Sequence, residues 1–284
     1  MTTLHDPLTV DAVEGYLATR WLGRPCHSFG TVSSTMDVAR RLAGGGAPVG
    51  TMVVADAQTT GRGRQGRRWS SASGLGLWVS LIFPDDIASG VLAHVLACGV
   101  AEGIERCGAE GVAVKWPNDV LVAETNTLDA ASKNQPTMWP DAVVRSARKI
   151  AGILVERTGS ARYSVVGIGV NVWHGMTDFP QDLADTATSV ALCTGNPISR
   201  ARLLAEVLGV MERRIDAVRS GISLVDEWRR RSLVLGRLVC VERGDDRLIG
   251  RAAEIQPDGS LVVTVDGDSH VVGSGSVRFL GLTE

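Results

Sequence analysis

The chain has 284 residues, 44% of them hydrophobic, and a formal net charge of −2 at pH 7. This apolar content supplies a sizeable core and excludes a chain that is disordered throughout. The near-neutral charge excludes binding to nucleic acid by bulk electrostatics, although a local basic patch remains open. The 33 glycines make up about 12% of the chain, against a usual ~7%, and follow no Gly-X-Y period. The positions of the glycines are therefore informative.

Cysteine usage and hydropathy favour a cytoplasmic protein. The five cysteines include no C-x-x-C pair and fit no zinc-site spacing, which is typical of reduced thiols. The most apolar stretch, 91–101, contains His94 and is shorter than the ~20 residues that cross a bilayer. The first residues include no apolar segment, so we expect no signal peptide and no membrane partner.

Hydrophobic periodicity predicts a series of helices and strands along the first 235 residues. Apolar residues at helical spacing predict helices over 9–21, from 34 to the glycines at 44–46, and over 88–107, 200–218 and 222–231. Apolar and β-branched runs predict strands over 51–55, 75–83, 112–116, 120–123, 150–157 and 162–172. Ser34 followed by Asp37 predicts a capping box at the start of the second helix. The polar stretch 124–148 has no clear period, which predicts a long, exposed, inserted loop.

The pattern changes at residue 236 to short alternating strands. Turn signals at 244–245, 257–259 and 266–267 separate these segments. A stretch of this kind over 236–284 is typical of a small SH3-like β-barrel. We therefore expect an α+β protein, with a mixed sheet and helices in a domain over residues 1–235 and a β module over residues 236–284.

A glycine- and arginine-rich loop lies between two predicted strands, at residues 61–68. Its first six residues satisfy G-x-G-x-x-G, but a dinucleotide site needs a helix after the loop, and here another strand follows. Four arginines at 62, 64, 67 and 68 instead supply forked donors for a phosphate or carboxylate. The alternatives are a solvated basic loop and a nucleic-acid patch.

Two further segments favour a ligand site over a solvated loop. KWPND at 115–119 places a cation, an aromatic ring, an amide and a carboxylate within five residues. KIAGILVE at 149–156 places a lysine at the start of an apolar strand. Either lysine alone is typical of a strand end in solvent, but both occur together with the arginine loop.

Together these segments resemble the biotin–protein ligase family. The family pattern is GRGRxGR, then KWPND, then KxxGILVE, then a strand ending in G-x-N, and it is present here in that order, the last at 169–171. The resemblance extends from about residue 28 to the end of the chain. It implies a class II synthetase-like, biotin–lipoate ligase-like mixed sheet followed by the SH3-like barrel. Only about 27 residues precede it, so we expect the form without an N-terminal DNA-binding domain and no operator DNA.

The family reaction uses biotin and ATP with Mg²⁺ as substrates. It forms biotinyl-5′-AMP and pyrophosphate, after which a lysine of a biotin carboxyl carrier domain of a carboxylase takes the biotin and AMP leaves. Two alternatives stay open at this point: a lipoate-type acyl ligase of the same fold, and a non-catalytic nucleic-acid-binding module. The sequence leaves a monomer and a homodimer equally open.

The resemblance also implies roles for particular residues. The biotin-binding residues would be Ser34, Thr35, Gln58, Gly61, Arg62, Gly63, Arg64, Lys149 and Gly152. The ATP-binding residues would be Arg64, Trp69, Lys115, Asn118, Asp119, Asn171 and Arg278. Of these, the catalytic residues would be Arg64, Lys115, Asp119 and Lys149, with Mg²⁺ held through Asp119 and the ATP phosphates. Met36 stands where many relatives have asparagine, which puts a polar contact to biotin there in doubt.

Overall fold

The computed structural model describes residues 6–123, 139–157 and 163–281. A seven-stranded sheet forms its centre, with the strand order β1-β2-β3-β7-β6-β5-β4. Strands β1 and β2 are parallel, and the other neighbours are antiparallel. The strands are β1 (Cys26–Val32), β2 (Met52–Gln58), β3 (Gly76–Pro84), β4 (Val112–Lys115), β5 (Asp119–Val122), β6 (Arg148–Arg157) and β7 (Tyr163–Asn171).

Helices cover both faces of this sheet because its inner strands are apolar on both sides. Met52 and Val54 of β2 face the larger core, whereas Val53 belongs to a second cluster beneath one helix. The helices are α1 (Val10–Glu14), α2 (Thr35–Gly44), α3 (Ser89–Glu105), α4 (Asp141–Ser146), α5 (Val190–Thr194), α6 (Arg200–Arg219) and α7 (Val225–Arg231). Helix α2 covers the second cluster, and α3 and α6 pack together over the first. None of the helices in the described ranges is long and apolar enough to cross a membrane.

Two predictions about the early helices are wrong. Helix α1 ends at Glu14, not near residue 21. The backbone N–H groups of Arg20 and Leu22 instead donate to the Glu212 carboxylate of α6, which offers the chain a partner outside a helix. The expected capping box at Ser34 is also absent, because the Ser34 side chain makes no capping hydrogen bond.

The prediction of an exposed loop over 124–148 is partly wrong. Residues 124–138 lie outside the described residues, but helix α4 follows them and β6 begins at residue 148. Trp139, Val143 and Val144 are buried against strands β4 and β5. Arg237 donates to the Trp139 carbonyl and to Asp141. Residues 139–148 are therefore part of the core. They contain too few apolar positions for a helical period to be visible in the sequence.

The last strands form a separate five-stranded antiparallel sheet, with the order β11-β10-β9-β8-β12. Its strands are β8 (Leu238–Arg243), β9 (Asp246–Ile255), β10 (Leu261–Val265), β11 (Asp268–Val272) and β12 (Ser276–Phe279). This confirms the predicted α+β class, and the second sheet is consistent with an SH3-like unit. The domain boundary after residue 235 stays a prediction.

The second sheet is joined to the first by the KWPND segment. The Trp116 indole is buried, and its Nε1 donates to the Gly259 carbonyl at 3.0 Å. Helix α3 approaches the same turn closely, since a Cβ on Gly90 would lie 2.7 Å from the Asp258 carbonyl oxygen. The turn at 257–259 is thereby fixed against the end of β4.

Replacing Trp116 with phenylalanine tests this junction. The change leaves the buried Gly259 carbonyl without its donor, which costs about 1 to 3 kcal/mol of unfolding free energy. Urea denaturation measures the loss. Trp228→Phe is the matched control, since the Trp228 indole N–H is buried and has no partner among the described residues. Equal losses in the two variants would contradict the role of this hydrogen bond.

Candidate active site

A cavity of about 350 Å³ opens where the two sheets meet. Strands β2 to β7, the start of α2, the glycine–arginine loop and the start of β12 all contribute to it. It brings together most of the residues that the sequence singled out: Ser34, Thr35, Gln58, Arg62, Gly63, Arg64, Trp69, Lys115, Asn118, Asp119, Lys149, Gly152 and Asn171. Gly61 and Arg278 do not line it. One cavity therefore joins segments that lie more than 130 residues apart.

Polar side chains at the start of α2 form one end of the cavity. The Gln58 Oε1 accepts from the Thr35 backbone N–H at 2.9 Å and from the Thr35 hydroxyl at 3.1 Å. Ser80 donates to the same hydroxyl, and Gln58 Nε2 donates to Ser71. Ser34 Oγ is buried and has no hydrogen-bond partner among the described residues. A ligand with a small polar head would supply that partner.

An apolar wall lies beside this polar end. Met36 is buried and packs against Gly167 of β7, where a Cβ would come within 2.7 Å of the Met36 sulfur. Leu154 and Ile168 also line the cavity. Met36 therefore presents a thioether to the cavity, where an asparagine would present an amide.

The glycine–arginine loop is a tight hairpin, not the start of a long helix. The Trp69 N–H donates to the Gly61 carbonyl, and the Gly63 N–H donates to the Arg67 carbonyl at 2.7 Å. Its tip turns at Gln65 and Gly66, which have positive φ values of 55° and 72°. A Cβ on Gly61 would lie 2.5 Å from the Trp69 carbonyl oxygen, so only glycine fits there. As predicted, a strand rather than a long helix follows the loop, which differs from the strand-to-helix turn of a dinucleotide site.

The loop arginines point to different partners. Arg64 Nη1 donates to Asn118 Oδ1 at 2.9 Å, and Asn118 Nδ2 donates to the Ile153 carbonyl at 2.7 Å. Burial lowers the pKa of Arg64. Arg64 is therefore anchored inside the cavity by the KWPND turn.

Arg62 lines the cavity, and its guanidinium lies beside two carboxylates. Its Nη2 lies 3.0 Å from Asp37 Oδ1 and 3.6 Å from Glu156 Oε2. Arg40 pairs with the same two carboxylates. These contacts attach the loop to α2 and β6. Arg62 Nε is buried without a hydrogen-bond partner among the described residues, and the role of Arg62 in binding biotin stays a prediction.

Three cations surround one carboxylate in the middle of the cavity. Lys149 Nζ lies 2.6 Å from Asp119 Oδ1 and 5.1 Å from the centre of the Trp69 ring. Lys115 pairs with Asp119 in the strand register, and burial lowers the pKa of Lys115. With Arg64 nearby, the cluster carries an excess of positive charge, which an anionic ligand would balance.

Trp69 forms the floor of the cavity. It lies flat against two paired glycines of β6 and β7, because a Cβ on Gly169 would come within 2.5 Å of its ring and one on Gly152 within 3.0 Å. The space that Gly152 leaves is thus filled by the indole and by the Lys149 side chain. Trp69 Nε1 is buried without a partner among the described residues.

The segment after β7, residues 174–187, also lines the cavity. No motif in the sequence pointed to it. Its Thr186 carbonyl accepts from the Lys149 N–H at 2.7 Å, and the Thr188 carbonyl accepts from the Asn171 amide at 3.0 Å. His174 stacks on Phe179 with ring centres 4.9 Å apart, and burial lowers the pKa of His174 to about 4. The only local signal was an aromatic residue followed by proline within a polar stretch.

Arg278 does not line the cavity in the structure, and its contact with ATP stays a prediction. Its side chain is exposed and pairs with Glu242 at 2.5 Å. The three residues that precede it, Gly275, Ser276 and Val277, line the cavity instead.

The fold and the cavity define an α+β domain with a glycine-rich hairpin over a cationic cluster. The sequence model of the Biotin/lipoate A/B protein ligase family matches residues 29–172, about half of the chain. The chain belongs to this family, as its motifs predicted.

Relatives and solved structures agree with this assignment. The bifunctional ligase/repressor BirA of Bacillus subtilis is 32% identical over 255 residues, or 87% of this chain and 71% of the relative. The biotin–[acetyl-CoA-carboxylase] ligase of Mycobacterium tuberculosis is 30% identical over 259 residues, or 88% of this chain and 86% of the relative. The structure of the biotin protein ligase from Aquifex aeolicus in complex with biotin and ATP aligns with a TM-score of 0.73 at 26% identity, covering 90% of this chain and all of that one.

Replacing Gly169 with alanine tests the packing of the Trp69 ring against β7. The new methyl group would overlap the Trp69 ring, so we expect a loss of about 1 to 3 kcal/mol in unfolding free energy. Denaturation followed by tryptophan fluorescence measures it. Gly30→Ala is the control, because nothing lies within 4 Å of a Cβ at that position. A Gly169→Ala protein as stable as this control would contradict the packing described here.

Proposed function

We propose that the chain is an ATP-dependent biotin–protein ligase. It forms biotinyl-5′-AMP from biotin and ATP and then transfers biotin to a lysine of a biotin carboxyl carrier domain. The observation that carries this proposal is the continuity of one cavity from the polar end at Ser34 and Gln58 to the cationic cluster around Asp119. The names of the relatives support the same activity.

The polar end suits the ureido ring of biotin, which both donates and accepts hydrogen bonds. The unpartnered Ser34 hydroxyl can do either. The Gln58 amide is held in one orientation by Thr35 and Ser71, so its position does not depend on the ligand. The apolar wall at Met36 then contacts the aliphatic part of the substrate.

The cationic cluster serves the first half-reaction. A biotin carboxylate oxygen attacks the α-phosphorus of ATP, a new phosphorus–oxygen bond forms, and the bond to pyrophosphate breaks. Lys149 and Arg64 stabilise the charge at the α-phosphate, and Lys115 meets the departing phosphates. Mg²⁺ arrives with ATP as part of the substrate, and Asp119 is the carboxylate beside which it would be held.

The second half-reaction breaks the mixed anhydride. The amine of the carrier lysine attacks the acyl carbon, an amide bond forms, and AMP leaves. Asp119 is the carboxylate in the cavity that can take up the proton of that amine. The hairpin over the cavity shields the anhydride from water before the carrier arrives.

We infer that the acceptor is the carrier domain of a biotin-dependent carboxylase and that the protein acts in the cytoplasm. The five cysteines are free, and burial raises the pKa of Cys26 and Cys107 to about 11, which disfavours the thiolate at neutral pH.

Pyrophosphate release tests the function. Purified protein with ATP and Mg²⁺ should release pyrophosphate when biotin is added and should label a biotin carrier domain, whereas lipoate should support neither step. Lys149→Ala should lose the first step, since it removes the cation that faces the α-phosphate. The exposed Arg202→Ala is the control that keeps it. Equal use of lipoate would replace the proposal with a lipoate-type ligase.

Arg64→Gly tests retention of the intermediate. Loss of one charge-assisted contact should speed release of biotinyl-5′-AMP by about 10- to 100-fold while adenylation continues. Rapid filtration of the protein-bound adenylate measures the rate. Arg68→Gly in the same loop is the matched control, because Arg68 donates to the Thr59 carbonyl. Unchanged retention in Arg64→Gly would contradict the assigned role.

A further inference from the structure

Phe279 of the second sheet meets Lys115 of the first. The Lys115 Nζ lies 5.0 Å from the centre of the Phe279 ring, within the distance at which a cation gains from the π-face of an aromatic ring. Lys115 ends β4 and lines the cavity, whereas Phe279 ends β12. The two residues are 164 positions apart in the sequence, so no local pattern connects them.

The Phe279 ring is held in place by the core around it. It packs against an apolar cluster that includes Ala113, Leu121 and Leu233. Helix α4 completes this cluster, and the hydrogen bond from Trp116 to the Gly259 carbonyl fixes the second sheet nearby. The position of the ring is therefore set by both sheets and does not depend on Lys115.

Lys115 needs such a partner because its surroundings disfavour its charge. Burial lowers the pKa of Lys115, and the like charges of Lys149 on β6 and Arg67 in the hairpin lower it further. Asp119 on β5 acts in the opposite direction, but it also pairs with Lys149 at 2.6 Å. One carboxylate thus serves several cations, and the ring of Phe279 supplies an additional attraction for the ammonium.

Resting on the proposed function, we propose that Phe279 is a positioning residue for adenylation, which holds Lys115 as a cation facing the ATP phosphates. The second sheet then acts on the reaction through an aromatic ring. The neighbouring Arg278, on the opposite face of β12, pairs with Glu242 and lies outside the cavity.

The titration of Lys115 itself tests this proposal. The sequence contains three lysines, at 115, 133 and 149, so competitive acylation followed by mass spectrometry assigns each one without ambiguity. Phe279→Leu should lower the pKa of Lys115 by about 0.5 to 1 unit, because the attraction of the ring favours the ammonium. Phe279→Tyr keeps an aromatic face and should restore the original value.

Three further measurements separate a role of Phe279 in positioning Lys115 from a role in the stability of the protein. Val263→Ala, which opens a cavity in the core of the second sheet, should lower stability without moving the Lys115 titration. In the full reaction, the alkaline limb of the pyrophosphate-release profile should move to lower pH in Phe279→Leu and return in Phe279→Tyr. In a Lys115→Met background, the Phe279 substitution should have no further effect on that rate.

The opposite result is equally clear. If Phe279 only excludes water, Phe279→Leu would relieve burial and raise the pKa of Lys115, and that outcome, like an unchanged value, overturns the proposal. Phe279→Met replaces Phe279→Leu if the latter does not fold. A wild-type protein that fails to release pyrophosphate with biotin would overturn the proposed function, while the Lys115 titration would still decide the role of Phe279.

Discussion

The register of the central sheet is the constraint on which the site depends. One row of paired residues crosses five strands: Lys115, Asp119, Gly152, Gly169 and Trp78. This row places the cation beside the carboxylate, and the carboxylate beside two glycines that accept the Trp69 ring. A shift by one residue would turn these side chains to the opposite face of the sheet. Strand β3 opposes such a shift, because its residues are buried on both faces and pack into both apolar clusters.

Charge is the second constraint on the cavity. Arg64, Lys115 and Lys149 approach a single carboxylate, Asp119, and the first two are buried enough for their pKa values to be lowered. Bringing these cations together opposes folding, since like charges repel and desolvation is costly. A bound substrate with phosphates removes much of that cost. The same excess of positive charge therefore favours an anionic substrate.

Attachment of the hairpin and of the second sheet gives this arrangement its shape. Arg62 connects the hairpin to α2 and β6 through Asp37 and Glu156, so the loop covers the cavity with its backbone held on two elements. Trp116 connects the second sheet through Gly259. The KWPND segment thus combines two tasks: its polar residues face the cavity, and its tryptophan joins the two sheets.

The sequence by itself determined the α+β class and most strand positions, because hydrophobic periodicity depends on neighbours along the chain. Its motifs determined the family and most of the predicted residues that meet in the cavity. It could not show helix α4, whose few apolar residues are buried only by β4 and β5. Nor could it pair Arg62 with Asp37 or Arg278 with Glu242, or find the segment beside Asn171. The tertiary structure decided these points, because the direction of a side chain and the pairing of distant charges depend on which strands lie side by side.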